Sequence, residues 1–121
     1  MNKSGRKVNK GWGHELVFAD TKDYCGKLLT FNKKGKKFSM HFHDKKEETW
    51  YVYKGTFKLN YILTKNAEFR EVILNTGDIW HNERLSPHQL IALEDNSIIF
   101  EVSSHDEPED SFRVAPGDSQ Q

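Results

Sequence analysis

"GKKFSMHFHDKKEETWYVYKG", residues 35–55, places His41 and His43 one residue apart, and Glu48 shortly after them, in one of the more apolar stretches of the chain. Strand alternation sorts the pattern. In KFSMHFH, Phe38, Met40 and Phe42 fall on one face, and Lys37, Ser39, His41 and His43 fall on the other. The next run opens with Glu48, whose face continues with Trp50 and Val52. A carboxylate that shares a face with Trp and Val needs a partner if it is buried. A metal ion would be such a partner. Side chains at i and i+2 of a strand stand roughly 7 Å apart at the backbone, and two imidazoles can lean across that gap. Their nitrogens then sit about 2.0–2.1 Å from one ion, with a carboxylate from the neighbouring strand as third ligand. The candidates for a fourth are His14, His81, His88 and His105.

Working outward, the chain shows little helical periodicity and many short runs of β-formers. Strands are expected near Glu15–Ala19, Gly26–Phe31, Phe38–His43, Thr49–Lys54, Thr56–Leu63, Phe69–Leu74, Asp78–His81, His88–Leu93 and Ile98–Ser103. The turn-forming segments NKKGKK, KG, TKNAE, NTGD and EDNS separate them. Short strands at close, regular spacing point to an all-β antiparallel sandwich or barrel of the jelly-roll kind. A chain of 121 residues suits one domain with one core. The expected organisation is a flexible basic N-terminus over residues 1–10, a β domain over 11–106 and a polar tail over 107–121.

Composition narrows the class. Hydrophobic residues make up 36% and charged residues 30%, as in a soluble globular protein. No run approaches the roughly 20 apolar residues of a membrane span, and the basic N-terminus lacks the apolar stretch of a signal peptide, so a cytoplasmic protein is expected. The zero net charge conceals an asymmetry: residues 1–60 hold 14 Lys and Arg against 6 Asp and Glu, and residues 61–121 hold 4 against 12. A nucleic-acid surface needs a one-sided field, and the lysines here fall in pairs at turns, so nucleic acid is not the expected partner. Cys25 has no cysteine to pair with and reads as an inert buried thiol.

The spacing Gly35-x5-His41-x-His43-x4-Glu48-x6-Gly55 resembles the first motif of the cupins at each defining position. Gly77-Asp78, with His88 eleven residues after that glycine, resembles the opening and the histidine of the second motif. The Pro and Gly usual between them are replaced by Glu83 and Leu85, and Ala92 stands where the motif ends in Asn. The resemblance implies a single-domain cupin, a jelly-roll-like antiparallel β-barrel. It also implies that His41, His43, Glu48 and His88 hold one divalent metal inside; His81, in DIWHN, is the rival for the fourth position, since a shifted loop would swing it in. Zinc, manganese, iron and nickel all accept such a donor set, so the sequence does not select among them.

A narrower resemblance runs through KGWGHELVF, FSMHFHDKKEETWYVYKGT and FEVSSHDEPEDSFRV, which are similar to the cupin domain of type II phosphomannose isomerases. That family commonly has Gln where His41 stands. The resemblance implies a carbohydrate ligand, a sugar or sugar phosphate, and isomerisation between aldose and ketose. A proton carrier separate from the metal is then required, and Glu101 in IIFEVSS is the candidate. Lys37, on the histidine face, is a candidate to meet an anionic substrate. Arg113 matches the arginine of the isomerase tail. Two other functions fit the same donor set: an iron-dependent dioxygenase of a small molecule, and a non-catalytic sugar-binding or regulatory module. The many aromatic residues on strand faces suggest that a sheet is covered by a second copy, as a homodimer.

Overall fold

β-Branched and aromatic residues alternate with polar ones along most of the chain, and each such run pairs into a ladder. The computed structural model describes residues 5–120. Its strands are β1 (Arg6–Lys10), β2 (Gly13–Asp20), β3 (Cys25–Phe31), β4 (Met40–Phe42), β5 (Glu48–Lys54) and β6 (Thr56–Leu63). They continue with β7 (Glu68–Asn75), β8 (Ile79–Asn82), β9 (His88–Ala92), β10 (Ser97–Ser103) and β11 (Phe112–Ala115), before a 3-10 turn at Asp118–Gln120. A six-stranded sheet runs β1-β2-β3-β10-β5-β8 and a five-stranded sheet runs β11-β4-β9-β6-β7, with every pairing antiparallel. The expected all-β architecture is therefore the one observed. Among the described residues, no helix is long and apolar enough to cross a membrane.

The inner faces change character along their length, and this gradient positions the site. On β5 the inward sequence is Glu48, Trp50, Val52; on β9 it is His88, Leu90, Ala92; on β3 it is Lys27, Leu29, Phe31. β10 runs the opposite way, so its order from the same end is Glu101, Ile99, Ser97. The polar members gather at one end of the barrel and the apolar members at the other. Phe31 of one sheet meets Phe57 of the other edge-on, with ring centroids 5.1 Å apart, and stacks on Trp12 at 4.5 Å. Such aromatic pairs add about 0.5–1.5 kcal/mol each beyond area burial. Leu59, Leu90, Ile99 and Val52 complete this apolar end. Cys25 is buried as expected, and burial raises its thiol pKa.

The motif glycines Gly35, Gly55 and Gly77 all have positive φ, at 91°, 84° and 94°. Gly55 forms the one-residue link between β5 and β6, where an added Cβ would also collide with the side chain of Ser97. Glycine is the residue that adopts this conformation without steric cost.

Three expectations need correction. Residues 6–10, placed in a flexible N-terminus, form the edge strand β1, paired over five residues with β2; residues 1–4 lie outside the described residues. The polar tail is likewise built into the fold. β11 pairs with β4, and Asp118 exchanges two hydrogen bonds with the backbone of Lys37, at 2.7 and 3.0 Å. Both strands are exposed almost throughout, so neither shows the alternation that marks a half-buried strand. The third correction concerns residues 37–39. The continuous ladder begins only at Met40, with Lys37 joined to Ile91 by an isolated bridge, so the two-residue alternation does not extend back through Phe38. Phe38 faces inward beside His41, at a ring separation of 5.1 Å, rather than opposite to it.

Candidate metal centre

Three histidines converge at the polar end of the barrel. His41 and His43 come from β4 and the residue after it, and His88 opens β9, directly across the ladder from His41. One ring nitrogen from each lies within 4.8 Å of the others. Three backbone carbonyls fix which nitrogen that is. Nδ1 of His41 lies 2.7 Å from the carbonyl of Ser39, Nδ1 of His43 lies 2.5 Å from that of Asp110, and Nδ1 of His88 lies 2.9 Å from that of Ser86. A carbonyl only accepts, so each Nδ1 carries a proton, which leaves Nε2 as the nitrogen available to a metal. Metal-binding imidazoles are oriented in this way by their outer hydrogen bonds.

Two observations test whether a cation suits this arrangement. Nε2 of His88 is fully buried and makes no hydrogen bond of acceptable geometry. It lies 2.9 Å from Oε1 of Glu48, beside a carboxylate rather than a donor. Burial also lowers the pKa of His41 to about 3, helped by the neighbouring His88, and burial lowers that of His43 too. These two rings are therefore neutral, the form in which imidazole ligates. The three imidazoles next to an ionised carboxylate form a donor set that could hold a divalent metal.

Glu48 is 3% exposed and stands beside the cluster. Burial would raise its pKa, but His88 and Lys46 hold it well below the usual carboxylate range. Its oxygens are engaged by Nζ of Lys46 at 3.4 Å and by the Asn82 amide at 3.3 Å. Asn82 is itself held by the indole N–H of Trp80, at 3.0 Å. His81 points the other way: it is exposed on the outer face of β8, where Thr49 Oγ1 and a carboxylate oxygen of Glu47 flank its ring at 2.9 and 3.5 Å. His105 is exposed and held by the carbonyl of Thr21, and His14, on β2, pairs across to Thr30 on β3.

The cluster opens on a cavity of about 460 Å³, whose lining includes His41, His43, Glu48, Glu101 and Arg113. Lys37 does not line it. Its strand alternation fails at residues 38–39, and its backbone is bound to the tail instead. The cations inside the cavity are Lys27 and Lys46, 7% and 5% exposed. Nζ of Lys46 lies 3.0 Å from Asp106, 3.4 Å from Glu48 and 3.7 Å from Glu101. Nζ of Lys27 lies 3.1 Å from Asp106 and 3.6 Å from Glu15. This end of the barrel therefore holds the carboxyls of Glu15, Glu48, Glu101 and Asp106 against two ammonium groups. A divalent cation would offset the negative surplus.

Glu101 sits across the ladder from both Lys27 and Trp50, and its Oε1 accepts the indole N–H of Trp50 at 2.9 Å. Burial raises its pKa to about 7, the charge of Glu48 adds to this, and Lys46 opposes it. Asp106 would also be raised by burial, but Lys46 and Lys27 hold it at about 2.

Sequence reasoning missed Lys46, Lys27, Asp106, Asp110 and Asn82. Lys27 had a readable signal: in CGKLLTF it shares an inward face with Leu29 and Phe31. Lys46, in DKKEE, is indistinguishable from a solvated loop lysine.

No family model matches the sequence, and no curated protein matches it significantly. Solved structures do match in fold. Oxalate decarboxylase from Bacillus subtilis superposes with a TM-score of 0.78 at 18% identity, covering 91% of this chain and 30% of that one. The capsular polysaccharide assembling protein CapF from Staphylococcus aureus gives 0.79 at 16%, covering 94% and 33%. KdgF from a Halomonas species gives 0.65 at 23%, covering 79% and 82%. The chain thus spans about a third of the oxalate decarboxylase and CapF chains. At these identities the likeness is one of fold, and that fold is the cupin barrel.

Proposed function

We propose that this chain is a divalent-metal-binding cupin acting on a sugar or sugar phosphate, as an aldose/ketose isomerase like the phosphomannose isomerases its sequence resembles. The observation that carries this reading is Glu101. It is a buried carboxyl with a pKa near 7, on the same cavity as the imidazole cluster but outside it. A general acid-base works best when its pKa lies near the operating pH. Moving a proton between neighbouring carbons requires one group that both takes and returns it.

When bound, the metal would supply Lewis-acid polarisation of a carbonyl oxygen. The chain's own residues do the rest. Trp50 fixes Oε1 of Glu101, leaving Oε2 on the side of Lys46, 3.7 Å away, so the carboxyl group is held in one orientation. Lys46 stabilises the Glu48 carboxylate, and that of Glu101 once its proton has left. The cavity falls within the size range of small-molecule pockets. CapF, one of the matching folds, is named for assembling a capsular polysaccharide, which agrees with a carbohydrate ligand.

The test is to incubate metal-loaded protein with aldose and ketose phosphates in deuterated water and to follow exchange by NMR. Exchange at the carbon beside the carbonyl, lost in Glu101→Gln, is expected. Binding without exchange would leave a sugar-binding module, and oxygen uptake with another small molecule would indicate the dioxygenase. The same reading includes a homodimer. Phe100, Tyr51 and Ile79 stand side by side across β10, β5 and β8, exposed on the outer sheet face, where a second copy would cover them. Light scattering at the mass of one chain, 14.2 kDa, would remove the dimer.

A further inference from the structure

The two ends of the described chain meet at the cavity mouth. β1 contributes Arg6, Val8 and Lys10, which share one face by alternation and all line the cavity. β11 contributes Arg113, which stands directly opposite His41 in the β4–β11 ladder. Directly opposed residues of an antiparallel pair project from the same face. Arg113 therefore leans over the cavity from the rim nearest the imidazoles. Gly11 N–H donates to Oγ of Ser119 at 3.0 Å, tying the end of β1 to the chain just beyond β11.

The cations around this cavity fall into two groups. Lys27 and Lys46, inside, are each saturated by two or more carboxylates. Arg6, on the rim, is paired with Asp20 at 3.3 Å. Among the described residues, Lys10 and Arg113 have no ion pair and no side-chain hydrogen bond, although both line the cavity. The acidic surplus lies at the closed end and the unneutralised positive charge at the mouth.

We infer that Lys10 and Arg113 form an anion subsite, and that the ligand of this cavity carries a phosphate or carboxylate at one end and oxygen functions at the other. This rests on the proposed small-molecule site and specifies its ligand class. The guanidinium offers a planar fork that matches either anion with two hydrogen bonds, and the ammonium adds a point charge. An anionic head would be repelled by the carboxylates deeper in and held by the mouth, so the cavity accepts the ligand in one orientation. The sequence offered Lys37 and Arg113 as cationic contacts; Arg113 and Lys10 line the cavity and Lys37 does not.

The test is calorimetric titration of zinc-loaded protein with three probes: a hexose 6-phosphate, the corresponding hexuronate and the neutral hexose. The inference predicts that at least one anionic probe binds more tightly than the neutral one. Arg113→Ala and Lys10→Ala should each weaken that probe by about tenfold to a hundredfold, as expected for a lost charge-assisted hydrogen bond. The neutral hexose should be unaffected, and Arg113→Lys should recover part of the loss. Preference for phosphate or for uronate identifies the anion. Both residues lie on exposed edge strands, so circular dichroism and thermal melting should match the parent. Equal affinity for charged and neutral probes, no binding of either anion, or an unchanged preference in both variants would overturn the subsite. The metal content and deuterium exchange of the same samples report the proposed function separately. Exchange of a neutral sugar would keep the isomerase without the subsite, and anion binding without exchange would keep the subsite without the isomerase.

Discussion

Asp110 holds His43 with one polar group and the turn that follows it with the other. Its carbonyl accepts the imidazole Nδ1–H at 2.5 Å, and its carboxylate accepts the backbone N–H groups of Asp44, Lys45 and Lys46 at 2.8 to 3.2 Å. A residue 67 positions away in sequence thus sets both the tautomer of a candidate ligand and the path of the chain leading to Glu48. The carbonyl survives in Asp110→Ala, but the three N–H groups lose their acceptor. Leaving buried donors unsatisfied costs about 1–3 kcal/mol. Loss of such outer-shell support typically weakens metal binding by about 10–100-fold. Thermal melting and a zinc competition titration should show both effects, and Asp110→Asn, which keeps one oxygen, should recover part of each.

Lys46 is the cation on which three carboxyls converge. In Lys46→Met, Glu48, Glu101 and Asp106 lose a shared partner inside the barrel. Removing one member of a buried charge cluster typically costs about 3–5 kcal/mol. The neighbouring Lys45 is largely exposed and its ammonium pairs with Glu107, at 3.7 Å, so Lys45→Met should change stability by less than about 0.5 kcal/mol. Urea denaturation of the two variants makes the comparison. Equal effects would show that the network does not act as described.

The raised pKa of Glu101 has a consequence for stability. A carboxyl whose folded pKa is about 7, against an ordinary 4.5, favours folding while protonated. Its stabilising contribution is full below 4.5 and is lost as pH rises through 7. Glu101→Gln keeps an oxygen for Trp50 and cannot ionise. In metal-free protein, the melting temperature of the variant relative to the parent should therefore rise between about pH 5 and pH 8. A constant difference across that range would contradict the assignment.

Asp106 and His41 govern the acid side. Asp106, held at about 2 against an ordinary 3.8, contributes stability that is present above the latter value and lost as pH falls towards the former. His41, lowered to about 3 from 6.5, also favours the folded state at higher pH, and its contribution declines as pH falls below 6.5 and through 3. Melting temperatures of chelator-treated protein should fall progressively below about pH 6.5. Asp106→Asn, already without the pair, should flatten the steepest part, between about pH 4 and pH 2.

What was legible in the sequence followed local geometry. The strands of the two sheet interiors were readable because one face of each is buried, so Thr56–Leu63 matches its expected limits and Ile98–Ser103 differs by a residue. His41 and His43 were readable as neighbours on one strand face, whereas His88 was reached through the motif resemblance, because the ladder that sets it opposite His41 leaves no local pattern. The rest depends on contacts that no local pattern encodes. Lys46 meets Asp106 across 60 positions, and β1 and β11 bury neither face, so nothing in their composition separates them from solvated coil. Lys37 was misplaced because alternation was extended through Phe38 and Ser39, which stand outside the ladder.

Metal content per chain tests the account most directly. After mild purification and dialysis against trace zinc, elemental analysis of the parent should find one divalent ion per chain. His88→Ala should lose it, and His81→Ala, altered on the outer face, should retain it. A parent that binds no ion, or a His88→Ala variant that keeps full occupancy while His81→Ala loses it, would contradict the three-histidine centre.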